Sequence, residues 1–312
     1  MKRNLIVFLV FSILAMTSCS NSNEDFVSQP TVEPVTEIQT NLNTLNNTYS
    51  HNVVGTRSIW GFLRKLAVCC ADAAGFIWGG KLAGATALSE LADKYLPAVH
   101  STKTSDSFVD PYGIVTESEP KQFRPDSLLN GIVKQDALSD LEPNELGYAH
   151  NKVILDHFKQ GKLPVQNPVY AQEEDQDVNQ ILSSGDFKQF EGSISSDKLY
   201  FSDQFTTQTL KDIIEPIKSN NNISVAGYIN ALVAKTDDND IKDQLKIVGQ
   251  VLEGLQYVGD NDTSYITKAR EIIMKSKVSK QLQDKLLDAI SIAYASSKLW
   301  VTPVVKDAPV NN

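Results

Sequence analysis

Apolar residues step by three and four along most of the second half of the chain. Ile241, Leu245, Val248, Leu252 and Leu255 form one such face. Ile266, Ala269 and Ile273 form another, and Leu282, Leu286, Ala289, Ala293 and Ser297 mark the last and longest. Val225, Ile229, Leu232 and Val233 share a face, as do Leu210, Ile213, Ile214 and Ile217, where Pro216 is expected to end or kink the helix. The gaps SNNN, TDDND and GDND are short polar turns. Short turns between amphipathic helices imply antiparallel neighbours. The predicted fold class is mainly α: a helical bundle or stacked helical hairpins.

Residues 58–97 carry a different pattern. Small residues recur at every fourth position: Ala67, Ala71, Gly75, Gly79, Ala83 and Ala87. Such a ridge lets another backbone approach closely. Arg64, Lys65, Asp72, Thr86, Ser89, Glu90, Asp93 and Lys94 fall in one polar sector, with Lys81 opposite. Gly79-Gly80 is expected to break the helix, each Gly being unfavourable in a helix interior, so two helices are expected, near 58–78 and 81–95, the second closed by Pro97. Three readings stay open for this Gly/Ala-rich hairpin. It is a buried element of the body, a membrane-active or self-associating segment, or a partner-binding helix. The stretch Leu66–Gly80 is free of Lys and Arg, but it is short and contains Asp72, which argues against a simple span. The whole segment 58–97 loosely resembles the Gly/Ala-rich helices of small membrane-active bacteriocins.

Elsewhere the organisation is coarser. Residues 19–57 are rich in Ser, Asn, Thr, Gln and Pro and are expected to be a flexible tether. Residues 98–125, with Pro111, Pro120 and Pro125, read as a linker. A helical domain is expected over 126–302, followed by a C-terminal tail at 303–312. Within that domain Asp126 is placed to cap a helix running over SLLNGIVKQDALSDL. A second helix is expected from Asn144 to Gly161, and a short one near 174–184 beside the acidic patch of Glu173, Glu174, Asp175 and Asp177.

The first 18 residues have the form of a secretory signal: Lys2 and Arg3, an apolar run from Leu5 to Ala15, and small Ser18 before Cys19. Leu14-Ala15-Met16-Thr17-Ser18-Cys19 resembles the lipobox of bacterial lipoproteins. The resemblance implies cleavage before Cys19, a diacylglyceryl group on its sulfur and acylation of the new amine, hence an outer-membrane lipoprotein carrying palmitate-like chains. Two or more chains give stable anchoring. Glu24 and Asp25, soon after Cys19, resemble the acidic stretch that sends some Bacteroidota lipoproteins to the cell surface. Asp126-Ser127-Leu128 resembles the short Bacteroidota acceptor sequence for O-glycosylation. GYAHNKVILDHF in mid-chain and AISIAYASSKLW near the end resemble envelope lipoproteins of Bacteroidota, a resemblance that brings no activity with it.

Charge narrows the partners. The net charge is −9, and losing Lys2 and Arg3 with the signal makes it −11, which argues against a nucleic-acid partner. Candidate chemistry is sparse. Cys69 and Cys70 read as two small buried side chains. His150 and His157 share a helix face, but two turns separate them by about 10 Å, too far for one metal. Asp260, Asp262, Ser264 and Glu271 match positions of a calcium loop, yet Tyr265 stands where the turn needs Gly, so Asp262 or Thr263 reads as a helix cap. Asp237, Asp238 and Asp240 read likewise. HExxH, GxSxG, GxGxxG, the P-loop and CxxC are all missing from the sequence.

No catalytic, cofactor-binding or metal-binding residue is therefore singled out, and no cofactor is expected. The leading expectation is a non-enzymatic binding or scaffolding module, lipid-anchored at the outer membrane on its periplasmic face or at the cell surface, with a protein or glycan partner. The alternatives are a membrane-active or self-associating protein working through 58–97, and a hydrolase whose site the sequence hides.

Overall fold

The computed structural model describes residues 33–51, 59–95, 99–101, 133–134, 136–163, 185–219, 224–258, 262–300 and 304–306. Among these the chain is mainly helical. The helices are α1 (Pro34–Ser50), α2 (Ile59–Gly75), α3 (Lys81–Tyr95), α4 (Leu146–Lys159), α5 (Thr207–Ser219), α6 (Val225–Val233), α7 (Asn239–Leu255), α8 (Ser264–Lys275) and α9 (Lys280–Leu299). The long periodic segments become α7, α8 and α9 as their spacing predicts. Ser224, Asp238 and Ser279 cap α6, α7 and α9 through side-chain oxygens. Gly161, at φ +65°, ends α4, and the Lys162 N–H reaches back to the His157 carbonyl at 2.9 Å.

Helix α2 lies at the centre, touching α3, α5, α6, α7 and α9. Its exposure falls to zero at Leu66, Val68, Cys69, Cys70, Ala71 and Ala74. The Ala and Gly positions let this many neighbours surround one helix. A Cβ on Gly75 would lie 2.5 Å from Leu88 Cδ1 and 2.8 Å from the Gly84 carbonyl oxygen, so α2 and α3 meet nearly backbone to backbone. The stretch Lys65–Ala92 is long and apolar enough to cross a membrane by length and composition, but 83% of the window is buried inside the body.

The expected break between α2 and α3 is present. A π-helical segment, Phe76–Gly80, joins them, with Gly79 at φ +90° and Lys81 at φ +54°. The backbone groups it frees are taken up by a later segment. The Ser202 N–H donates to the Gly79 carbonyl (2.8 Å), and the Ala83 N–H donates to that of Leu199 (3.0 Å).

Four expectations change. The tether does not extend through 34–51, because α1 packs on α7 and α8 with Ile38 and Leu42 fully buried. Its apolar stripe of Val35, Ile38, Leu42, Leu45 and Tyr49 is thin enough to be masked by surrounding Asn and Thr, yet it sits at helical spacing. The helix expected over 127–141 is absent from 133–134 and 136–141. Val133 bridges Trp300 and the Lys134 N–H donates to the Leu299 carbonyl (2.8 Å), so pairing with the end of α9 overrides local propensity. Pro216 does not end its helix; α5 runs on to Ser219 with Pro216 buried near its C-terminus. Finally, the expected linker and tail each supply a three-residue strand, β1 (Val99–Ser101) and β2 (Val304–Lys306), paired in parallel. The short helix near 174–184 lies outside the described residues.

Two substitutions test this packing. Leu42→Ala should cost about 2–5 kcal/mol in urea unfolding, as core truncations do; a residue in a tether would cost almost nothing. Gly75→Ala would gain about 1 kcal/mol on an open helix face. Here it should instead destabilise, by about 1–3 kcal/mol, through overpacking.

Candidate functional site

The most concentrated polar chemistry lies inside the body, where α4 presents its two histidines to the α2–α3 hairpin. Asp72, Ser89, Glu90, His150 and Asn151 are at most 1% exposed, and Trp300 closes the site from the end of α9. The ridge residue Gly79 is half-buried, while Ala67, Ala71, Gly75, Ala83 and Ala87 are buried; they bring the hairpin's own helices together and admit the neighbours that carry these groups.

Hydrogen-bond geometry assigns the protons in the first cluster. Asn151 Nδ2 donates to the carbonyls of Ala295 (2.8 Å) and Ala137 (3.2 Å). Its Oδ1 therefore accepts from His150 Nδ1 at 3.0 Å, which places the imidazole hydrogen on Nδ1. His150 Nε2 is left as a lone pair, 3.5 Å from Asp72 Oδ2. The Trp300 indole can only donate, and it donates to Ser89 Oγ (2.9 Å), so Ser89 passes its own hydrogen to Asp72 Oδ2 (3.0 Å). Burial pushes the Asp72 carboxyl well above its ordinary value, against the pull of the Ser296 and Ser89 hydroxyls. Burial likewise pushes His150 down to about 4, opposed by its bond to Asn151. Both shifts favour a neutral pair with its proton on Asp72.

The second cluster is charged. His157 Nδ1 lies 2.7 Å from Glu90 Oε1, and its Nε2 lies 3.3 Å from Asp186 Oδ2. Burial opposes the imidazolium, but the hydrogen bond and charge of Glu90, joined by those of Asp186, raise the His157 pKa overall. Burial raises Glu90 against the pull of His157. His157 also stands in the last turn of α4, where the helix dipole favours a cation.

Both thiols are buried and free. Burial, then the neighbouring Asp72, pushes Cys69 up to about 12, and burial foremost raises Cys70, so neither forms a thiolate readily. Among the described residues no group of three or more His, Cys, Asp and Glu side chains is arranged to hold a metal ion.

Two surface hollows lie among the described residues. A groove of 310 Å³ runs between α1 and α8, lined by Glu37, Ile38, Lys268 and Glu271. A cleft of 230 Å³ lies where the start of α4 meets the 193–198 turn, α8 and α9. Its carboxylates each hold a cation: Glu145 with Arg270 (2.9 Å) and Asp288 with Lys198 (2.6 Å). Burial raises Asp288, and Lys198 opposes that rise. These acids are thus neutralised across the cleft.

The structure brings His150 and His157 into separate clusters, as their spacing implied. Asp238 caps α7, whereas Asp262 Oδ1 accepts the Ser264 N–H (2.8 Å) one residue ahead of Thr263, the N-cap of α8, whose own side chain makes no cap bond; Glu271 pairs with Lys275 (2.9 Å). Cys19, Asp260, the acidic patch at 173–177 and Asp126–Leu128 lie outside the described residues. Sequence reasoning missed Asp72, Ser89, Glu90, Asn151, Asp186 and Trp300. The signal for two of them was present: Asp72 and Glu90 share the polar sector of the hairpin, and a histidine pair two turns apart offers two complementary partners.

The first cluster makes a signed pH prediction. Asp72, raised by folding, contributes stability below its ordinary 3.8 that is lost as pH rises through its folded value. His150, depressed by folding, contributes stability above its ordinary 6.5 that is lost as pH falls through about 4. Where the two ranges overlap, above the His150 value of about 4, they oppose each other. Asp72→Asn keeps the shape and removes the Asp72 loss. Relative to the parent, the variant should gain about 1.4 kcal/mol per pH unit from 3.8 up to the folded pKa of Asp72. Urea unfolding from pH 5 to 9 checks this, and equal slopes for both proteins would refute the neutral pair.

No family model, curated protein or solved structure matches this chain.

Proposed function

We propose that this chain is a lipid-anchored envelope protein whose helical body binds or scaffolds a protein or glycan partner. The observation that carries the anchor is the run from Leu14 to Cys19 behind a positively charged start and a short apolar segment. Cys19 takes the lipid, and the body that follows is acidic and water-facing. Anionic head groups would repel it, which leaves the membrane contact to the acyl chains.

The interior of the body supports a binding role over a catalytic one. Asp72, Glu90, His150 and His157 are directed at one another or at helix-bound partners, where they fix how the helices meet. The cleft acids Glu145 and Asp288 are each matched with a cation. An activity built on such groups would first have to break the contacts that hold four helices together.

Expression of the full precursor in a diderm bacterium tests the anchor. Mass spectrometry of the mature amino terminus should find acyl chains on Cys19, and the protein should partition into the detergent phase. Cys19→Ala should remain uncleaved and unacylated. An unmodified sulfur on the parent protein would overturn the proposal. Protease shaving of intact cells then separates the periplasmic face from the cell surface.

A further inference from the structure

We propose that the cleft between the start of α4, the 193–198 turn, α8 and α9 binds one ring of a neutral sugar. The inference rests on the reading of the body as a binding module and names the ligand class for it. The lining holds two acids and two bases, so the cleft carries no net formal charge. Each acid is joined to a base from a different element. Glu145, at the start of α4, holds Arg270 on α8 (2.9 Å), and Asp288 on α9 holds Lys198 in the turn (2.6 Å). The groove between α1 and α8 has no such frame: its Glu271–Lys275 pair lies within one helix and is more exposed.

A hydroxyl is at once a donor and an acceptor. Beside a fixed ion pair it can donate to the carboxylate and accept from the cation. Both pairs keep capacity for this. Among the described residues Arg270 donates a single hydrogen bond, to Glu145, and Lys198 a single one, to Asp288 Oδ2. A guanidinium has five N–H groups and an ammonium three, so donors remain on each. Ser291 fixes Glu145 from behind, accepting the Gly147 N–H (3.3 Å) and donating to Glu145 Oε2 (3.3 Å). Ile194 and Leu287 add apolar lining for the C–H face of a ring.

Charge selects against ionic ligands. Equal and opposite charges give an ion no net Coulomb attraction, and to reach either partner it must compete with a bond already made. A neutral hydroxyl adds to the pair without dismantling it. The cleft's 230 Å³ is below the roughly 300–1,000 Å³ of sites that enclose a drug-sized ligand, which suits a single ring.

Titration of the full chain with glucose, galactose, mannose, xylose and N-acetylglucosamine, followed by amide chemical shifts, tests the assignment. At least one sugar should shift amides at 144–147, 193–198 and 287–291, with a dissociation constant in the millimolar range. Lys198→Met should weaken that binding about tenfold, the loss expected for a hydrogen bond to a charged group. Asn144 also lines the cleft, is exposed, and makes no side-chain hydrogen bond among the described residues, so its replacement leaves the fold alone. Asn144→Ala should weaken binding about threefold. Added salt should leave the affinity unchanged, since only a charged ligand is screened. The proposal is overturned if no sugar of this set shifts these amides, if neither variant weakens a sugar that binds, or if galacturonate or a glutamate-rich peptide binds the cleft more tightly than any neutral sugar. A neutral sugar bound elsewhere on the body would sink the cleft assignment and leave the broader binding role standing. An unacylated Cys19 would sink the anchor and leave the cleft untouched.

Discussion

A line of hydrogen bonds buried in an apolar interior fixes how four helices meet. It runs from the Trp300 indole through Ser89 to Asp72 and faces His150, which Asn151 holds in one tautomer. Each member comes from a different part of the chain: Asp72 from α2, Ser89 from α3, His150 and Asn151 from α4, and Trp300 from the end of α9. Leaving any one buried group without its partner costs about 1–3 kcal/mol. Apolar contacts alone tolerate sliding by a fraction of a turn. A donor that must meet one particular oxygen does not. The network contributes less to raw stability than to the choice of a single arrangement.

The hairpin makes that arrangement reachable. Its Ala and Gly positions shrink α2 and α3 until their backbones nearly touch, which brings polar side chains of opposite helices within bonding distance. The cost appears at the bend, where Gly79 and Lys81 take positive φ and the helix gives up regular hydrogen bonds. Leu199 and Ser202 replace two of those bonds from a segment more than a hundred residues downstream. The bend is completed only when the distant part of the chain has arrived, so the hairpin and the 199–205 segment are expected to form as one cooperative unit.

How much of this was legible differs by element. Helices α7, α8 and α9 could be read because a wide apolar face repeats over three or more turns. Helix α1 could not, since its stripe is thin and its composition is that of a linker; only the partner surface on α7 and α8 makes it a helix. For a related reason Asp72 and Glu90 were not singled out. A polar sector on an amphipathic helix is ordinarily turned toward water. That rule holds when the neighbouring helix is apolar, and it fails when the neighbour brings matching polar groups of its own. His150 and His157 were those matching groups, on a helix whose position against the hairpin no local pattern encodes. The thiols were legible because smallness and apolar surroundings agree at Cys69 and Cys70.

The early start of α1 bears on how far the body could stand from a bilayer. Were Cys19 acylated as proposed, fifteen residue steps would separate it from Pro34, where α1 begins. Even drawn out straight, such a leash spans only about 50 Å. The expected tether, reaching to residue 57, would have allowed more than twice that radius. Were Cys19 the anchor, a partner engaged by the body would have to come to it within a shallow layer next to the lipid surface.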